Sequence, residues 1–171
     1  LVSIVVLMTF RVISPNEAYE SIHWQVIVLI AALIPLGIVI ESSGTAAYIA
    51  SSIKEYVDTY SPSVQPYILF TLIYFVTMVM TEVSSNTATA IIMTPIVIAI
   101  TGEMQLDSRP FIFAVCFAAS ASFSTPVGYQ TNLMVYGPGG YKFSDYIKVG
   151  IPLAVTFWLL AVLIIPLIWS F

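Results

Sequence analysis

Between residues 65 and 100 the chain runs apolar, then polar, then apolar again. The arms are Gln65–Val79 and Ile91–Ile100, and the island between them reads Met80-Thr81-Glu82-Val83-Ser84-Ser85-Asn86-Thr87-Ala88-Thr89-Ala90. Crossing a bilayer takes roughly 20 consecutive apolar residues, so each arm reads as too short to span alone. Taken together they predict a re-entrant helical hairpin with its polar tip near the membrane midplane. Non-helical backbone at that depth is tolerated only where protein or a water-filled cavity surrounds it. The Ser, Asn and Thr oxygens of the tip are neutral. They suit a small hard cation and an oxyanion better than they suit covalent catalysis.

A membrane setting is demanded by the rest of the chain. The 171 residues are 59% apolar and 8% charged, where a soluble domain carries about 25% charged residues. Too few polar side chains remain to cover a soluble surface. The net charge of −4 is spread thinly over loops, and no basic patch points to nucleic acid. The single cysteine, Cys116, excludes an intrachain disulfide and a multi-cysteine metal site, and its apolar surroundings read as packing. The chain opens inside an apolar run, Leu1-Val2-Ser3-Ile4, with no signal-peptide pattern. It reads as a fragment cut within a membrane helix.

In order, Leu1–Phe10 reads as the end of a membrane helix closed by Arg11. Ser14-Pro15-Asn16-Glu17 is a turn, with Pro15 placed to start a short polar helix. Ile22–Ile40 is a second span, with Trp24 at its mouth and Pro35-Leu36-Gly37 inside it. Ala46, Ala47, Ile49, Ala50, Ile53, Tyr56, Val57 and Tyr60 then recur at helical spacing, which predicts an amphipathic interfacial helix. The hairpin follows Ser61-Pro62-Ser63 and closes at Thr101-Gly102-Glu103. Phe111–Ala119 is apolar and dissolves into the polar run Ser120–Asn132. A short apolar piece, Leu133–Tyr136, resumes, so this reads as one helix broken in the middle. Tyr141–Gly150 looks interfacial, and Ile151–Trp169 is the last span. Counting Lys and Arg on the two sides puts Arg11, Lys142 and Lys148 in the cytoplasm, and the hairpin mouth and Phe171 outside. The expected organisation is therefore 1–60 on a scaffold side, 61–140 as hairpin and broken helix, and 141–171 as an interfacial segment with the last span.

Glu82–Ala88 and Ser124–Asn132 are the two main unwound polar stretches expected at membrane depth. A broken helix leaves unpaired carbonyls on its first half and unpaired N–H groups on its second. The carbonyl ends, near Thr81 and Phe123, attract cations. The N–H ends, near Asn86 and Asn132, attract anions. Facing each other, such breaks make one neutral site for a cation beside an anion, as secondary transporters commonly do. The apolar arms carry no Lys or Arg to neutralise a bound anion, so a co-bound cation supplies that charge.

Thr81-Glu82-Val83-Ser84-Ser85-Asn86-Thr87-Ala88-Thr89, the later Pro95 and Ser124-Thr125-Pro126 resemble the divalent anion–sodium symporter family. That family carries di- and tricarboxylates or sulfate. The resemblance implies an all-α membrane protein with a re-entrant helical hairpin and a broken helix, forming one inverted repeat of an elevator-type transporter. This chain is similar to the second repeat over nearly its whole length. The resemblance implies a sodium ion held by Thr81, Ser84, Asn86 and Ser124, partly through backbone carbonyls. Substrate contacts are implied for Ser85, Asn86, Thr87, Thr125 and Pro126. Gly128-Tyr129-Gln130-Thr131-Asn132 departs from the Asn-rich loop of carboxylate transporters and is more similar to a branch that includes sulfate transporters. The implied partners are a small anionic substrate, the lipid bilayer, the first inverted repeat and a second copy in a homodimer. The implied location is the plasma or bacterial inner membrane, with several passes.

Plainer roles stand beside these. Ser85, Asn86 and Thr87 form a good helix cap, and a cap also exposes N–H groups to an anion. Glu82 reads either as a proton or cation relay or as a support that accepts backbone N–H groups across the break. Thr125-Pro126 reads as a site or a simple kink. Gly128 reads as a point of close backbone approach or positive φ. His23, beside Trp24, reads as interfacial. The rival functions are a proton-coupled anion antiporter or a channel-like pore on the same hairpin, and a membrane-embedded enzyme subunit. The last lacks an evident nucleophile and base pair.

Overall fold

The computed structural model describes residues 7–10, 12, 14–22, 24, 27–28, 31–32, 35, 38–39, 42–57, 59–169 and 171. The spans expected at Leu1–Phe10 and Ile22–Ile40 lie largely outside the described residues, as do Arg11 and His23. The chain divides into two compact units, Leu1–Pro35 and Leu36–Phe171. The described residues form helices and no strands.

In the first unit, α1 is Pro15–Glu20. Pro15 opens it because its missing N–H is not needed there. A capping box closes the start: the Glu17 N–H donates to Ser14 Oγ (3.2 Å) and the Ser14 N–H to Glu17 Oε2 (2.8 Å).

The second unit holds α2 (Thr45–Val57), α3 (Gln65–Thr81), α4 (Asn86–Glu103), α5 (Ser108–Ala119), α6 (Gln130–Tyr136) and α7 (Phe143–Ile168). The short helix α5 is the hub. Both hairpin arms, α3 and α4, pack on it, and α7 packs on α3 and α5. Phe70, Ile73 and Tyr74 of α3, Met93, Val97 and Ile100 of α4, and Phe111 and Val115 of α5 form the core. Ala114 and Ala118 on α5 and Ala154 and Ala161 on α7 are buried. Small residues there let helix backbones approach closely, so packing rather than water exclusion holds such a bundle together. Phe171 closes one end, its ring 5.2 Å from Phe111 and 4.9 Å from Tyr67.

The amphipathic helix is present as α2. Its apolar stripe lies against α4, with Val57 fully buried and Ile49 and Ile53 against the core. The hairpin arms are longer than the sequence suggested. α3 has 17 residues and α4 has 18, or roughly 25–27 Å each at 1.5 Å per residue. Polar residues of the island join both helices: Thr81 ends α3, and Asn86-Thr87 start α4. α4 and α7 are long and apolar enough to cross a membrane, with mean hydropathies of 1.2 and 2.6.

The final segment also differs. Tyr141–Gly150 and Ile151–Trp169 are not two pieces, because α7 runs unbroken over 26 residues. Pro152 costs the helix one hydrogen bond without ending it, and Asp145 caps the start by accepting the Lys142 N–H (2.9 Å). Outward positions of α7 such as Leu159, Leu163 and Leu167 are apolar and exposed, as a lipid-facing or partner-facing surface is. Cys116, read as a packing residue, is exposed on α5.

Candidate ion and substrate site

Two interruptions of the helical backbone meet in the second unit. The first is residues 82–85, between α3 and α4. The second is residues 120–129, between α5 and α6. Local chemistry explains both. Ser85 caps α4, its extended backbone (φ −66°, ψ 147°) letting its side chain accept the Ala88 N–H at 3.2 Å. In the second break, Pro126 bars Thr125 from helical backbone, and Ser120, Ser122 and Ser124 compete with helical bonding.

The second break begins earlier than its sequence implied. The carbonyl end expected near Phe123 is at Ala119, because α5 stops there. The reason lies across the junction. The fully buried Thr81 hydroxyl reaches the Ala119 carbonyl at 2.6 Å and takes the role of the next helical N–H. The carbonyl ends of α3 and α5 therefore converge, and the N-terminus of α4 starts beside them. Thr81 Oγ1 also lies 2.8 Å from Asn86 Oδ1. One hydroxyl hydrogen serves a single acceptor. Both contacts are satisfied when Thr81 donates to Ala119 and the Asn86 amide is turned so that its NH2 donates to Thr81. That arrangement leaves the Asn86 carbonyl oxygen open.

Further bonds tie the breaks together. Ser122 Oγ donates to the Thr81 carbonyl (3.3 Å), and Thr125 Oγ1 donates to the Glu82 carbonyl (2.9 Å). Glu82 Oε1 accepts the N–H groups of Phe123 (3.1 Å) and Ser124 (2.9 Å). Hydrogen bonds to a charged group contribute about 1.5–3 kcal/mol each. Glu82 Oε2 is buried with no hydrogen-bond partner among the described residues. The support role weighed for Glu82 is thus the one its geometry expresses.

Asn132, at the expected anion end, is used differently. Its Nδ2 donates to the Ser122 carbonyl (3.0 Å) and the Thr125 carbonyl (3.1 Å), folding the second break back on itself. The Tyr146 hydroxyl holds the Asn132 carbonyl at 2.8 Å. α6 has only seven residues, so the N–H end with a full-length helix behind it is that of α4.

Two glycines make the junction possible. A Cβ on Gly128 would stand 3.1 Å from both the Thr81 carbonyl oxygen and Thr125 Oγ1, and would collide with Ser122 Oγ. The close approach expected of Gly128 is present, without the alternative of positive φ. A Cβ on Gly150 of α7 would sit 2.5 Å from the Phe123 carbonyl carbon and 2.6 Å from Ser124 Cα. α7 can lie against the second break only because residue 150 has no side chain.

Of the residues singled out in the sequence, Thr81, Asn86, Ser124 and Thr125 enter this junction directly, Ser124 through its N–H. Ser85 is engaged as the cap. Ser84 is half-buried and Thr87 exposed, and no side-chain bond links them to the network among the described residues. Pro126 acts through the backbone it restricts. Ala119, Ser122 and Gly150 were not foreseen as parts of the junction, and Asn132 was expected as an N–H end rather than as a clamp. Asn132 lay within the polar run, but its clamp spans ten residues of irregular chain that carry no periodicity.

Helix ends meeting at two breaks, in a chain this apolar, are the arrangement that transporters with discontinuous helices use. The chain belongs to the citrate transporter family, whose model matches residues 1–99 and 68–171. It is 44% identical to an uncharacterized transporter of Synechocystis over 92% of its length, covering 25% of that protein. It is 36% identical to an uncharacterized transporter of Escherichia coli over 95% of its length, covering 26% of that protein. It is also similar to sodium/sulfate cotransporter 1 of Chlamydomonas reinhardtii, at 33% identity over 86% of the chain and 16% of that protein. The chain thus spans about a quarter of the first two relatives. Its relatives are named transporters, and the family it belongs to is a transporter family.

Proposed function

We propose that these residues form one half of a sodium-coupled symporter for a divalent anion, sulfate or a di- or tricarboxylate. The observation that carries this reading is the meeting of the two breaks at Thr81–Asn86 and Ser122–Thr125. Two helix carbonyl ends and one long helix's N–H end converge there. The carbonyls of Thr81 and Glu82 each spend one lone pair on a hydroxyl and keep a second for a cation. Thr81, Ser84, Asn86 and Ser124 are the residues we assign to sodium, which fits hard neutral oxygens. Ser85, Asn86, Thr87, Thr125 and Pro126 are assigned to the anion, at the positive end of α4. Residues 65–100 and 120–132 carry no Lys or Arg, so the cation supplies the charge that the anion needs. The relatives named sodium/sulfate cotransporters agree with this coupling.

In this reading α3 and α4 are a re-entrant hairpin and α5–α6 a broken helix, both in a mobile elevator domain of a multi-pass, homodimeric carrier in the plasma or inner membrane. A first inverted repeat completes the site. The relatives' fourfold greater length leaves room for it. The test is uptake into proteoliposomes by a full transporter carrying this segment. An inward sodium gradient should drive labelled sulfate, succinate or citrate, and potassium should not replace sodium. Uptake driven equally by a proton gradient without sodium would overturn the coupling.

A further inference from the structure

Glu82 makes more contact with the second break than any assigned ligand does. Its side chain takes two successive N–H groups, Phe123 and Ser124, and its own carbonyl takes the Thr125 hydroxyl. Three bonds from one residue therefore reach three consecutive residues of a segment about forty positions away in the chain. Thr81 beside it adds the bonds to Ala119 and Ser122. The second break has no regular secondary structure of its own to fix its shape, and its N–H groups at 123 and 124 have no helix to bond within.

We propose that Glu82 is a positioning residue: it fixes the Ser124-Thr125 backbone against the end of α3, and so sets the cation geometry without touching the ion. This rests on the sodium-coupled reading above. What Glu82 contributes is an acceptor oxygen at the right place, Oε1. Gln keeps such an oxygen and Ala does not. The charged acceptor is roughly twice as strong as a neutral one, so Gln should hold the break less firmly but in the same shape. A group that carried a proton would lose its role in Gln as fully as in Ala.

The experiment compares wild type, Glu82→Gln and Glu82→Ala in the full transporter by two readouts. The first is hydrogen exchange of peptides covering residues 119–129 without sodium. The second is the sodium half-saturation and maximal rate of uptake. Protection of 119–129 should persist in Gln and be lost in Ala. Sodium half-saturation should rise by about threefold or less in Gln and by about tenfold or more in Ala, in line with the relative bond strengths. Gln matching Ala in both readouts would overturn the proposal, as would Ala matching wild type. If Ala fails to fold, Gln alone decides: preserved protection supports the tie and lost protection refutes it. A wild type that shows protection but no sodium dependence would sink the coupling reading and leave the tie standing.

Discussion

Gly150→Ala adds one methyl group at the point where α7 meets the second break. Its carbon would stand 2.5 Å from the Phe123 carbonyl carbon and 2.6 Å from Ser124 Cα. Carbon atoms rest at about 3.5–4.0 Å, so the backbone must retreat by roughly 1 Å. Both obstacles are main chain, so no rotamer change relieves them. Overpacking of this kind costs about 1–3 kcal/mol. The displaced residues are the ones whose N–H groups meet Glu82 at 3.1 and 2.9 Å, and a further 1 Å ends those bonds. If half of that cost falls on the ion-binding geometry, about 0.5–1.5 kcal/mol, sodium affinity drops by about twofold to tenfold. The assay is sodium-dependent uptake and thermal unfolding of the full transporter. Gly102→Ala is the control, since a Cβ there meets nothing within 4 Å, and it should preserve both. Wild-type sodium affinity and stability in Gly150→Ala would refute the close packing of α7 on the break.

Three other outcomes follow from single contacts. Thr81→Val keeps the shape of the side chain but removes the hydroxyl that bonds the Ala119 carbonyl; stability should fall by about 1–3 kcal/mol in chemical unfolding, and Thr81→Ser should recover most of it. Asn132→Ala removes both clamps on the Ser122 and Thr125 carbonyls; hydrogen exchange over 120–129 should speed up, while that of α3 stays slow. The hydrogen bonds from Arg109 hold the Asp107 carboxyl below its ordinary 3.8 at the cap of α5. A lowered folded-state pKa stabilises fully above 3.8 and is lost as pH falls through the folded value. The melting difference between wild type and Asp107→Asn should therefore be constant from pH 5 to 8 and shrink in acid below 3.8.

Sequence made some parts of this architecture legible and hid others. The helices came from apolar runs, and some of their starts from chemistry that acts within one turn: Pro15 after Ser14, and Ser85 at the start of α4. The existence of both breaks was readable because polar residues crowd into an apolar chain. Their extents were not. α5 ends at Ala119, where the apolar run also ends, yet the carbonyl end was expected near Phe123, and the Thr81 hydroxyl that bonds Ala119 comes from 38 residues earlier. Tyr141–Gly150 and Ile151–Trp169 read as separate pieces, yet α7 runs through both and tolerates Pro152 and Pro166 inside it. Glu82 could be seen as either a relay or a support; the choice required knowing that Phe123 and Ser124 face it. Gly150 carried no signal of its own, since the partner backbone that requires a glycine there, at Phe123 and Ser124, is distant in the chain.

The most direct measurement of the central claim is the melting temperature of the full transporter in sodium against potassium, in wild type and Asn86→Ala. Thr81, Asn86 and the second break are held here as one junction. Sodium that binds the folded state there must stabilise it, by about 2.7 kcal/mol at a hundredfold excess over Kd. Sodium, and not potassium, should raise the melting temperature of wild type, and that rise should disappear in Asn86→Ala. An equal sodium-induced rise in both proteins, or none in wild type, would contradict it.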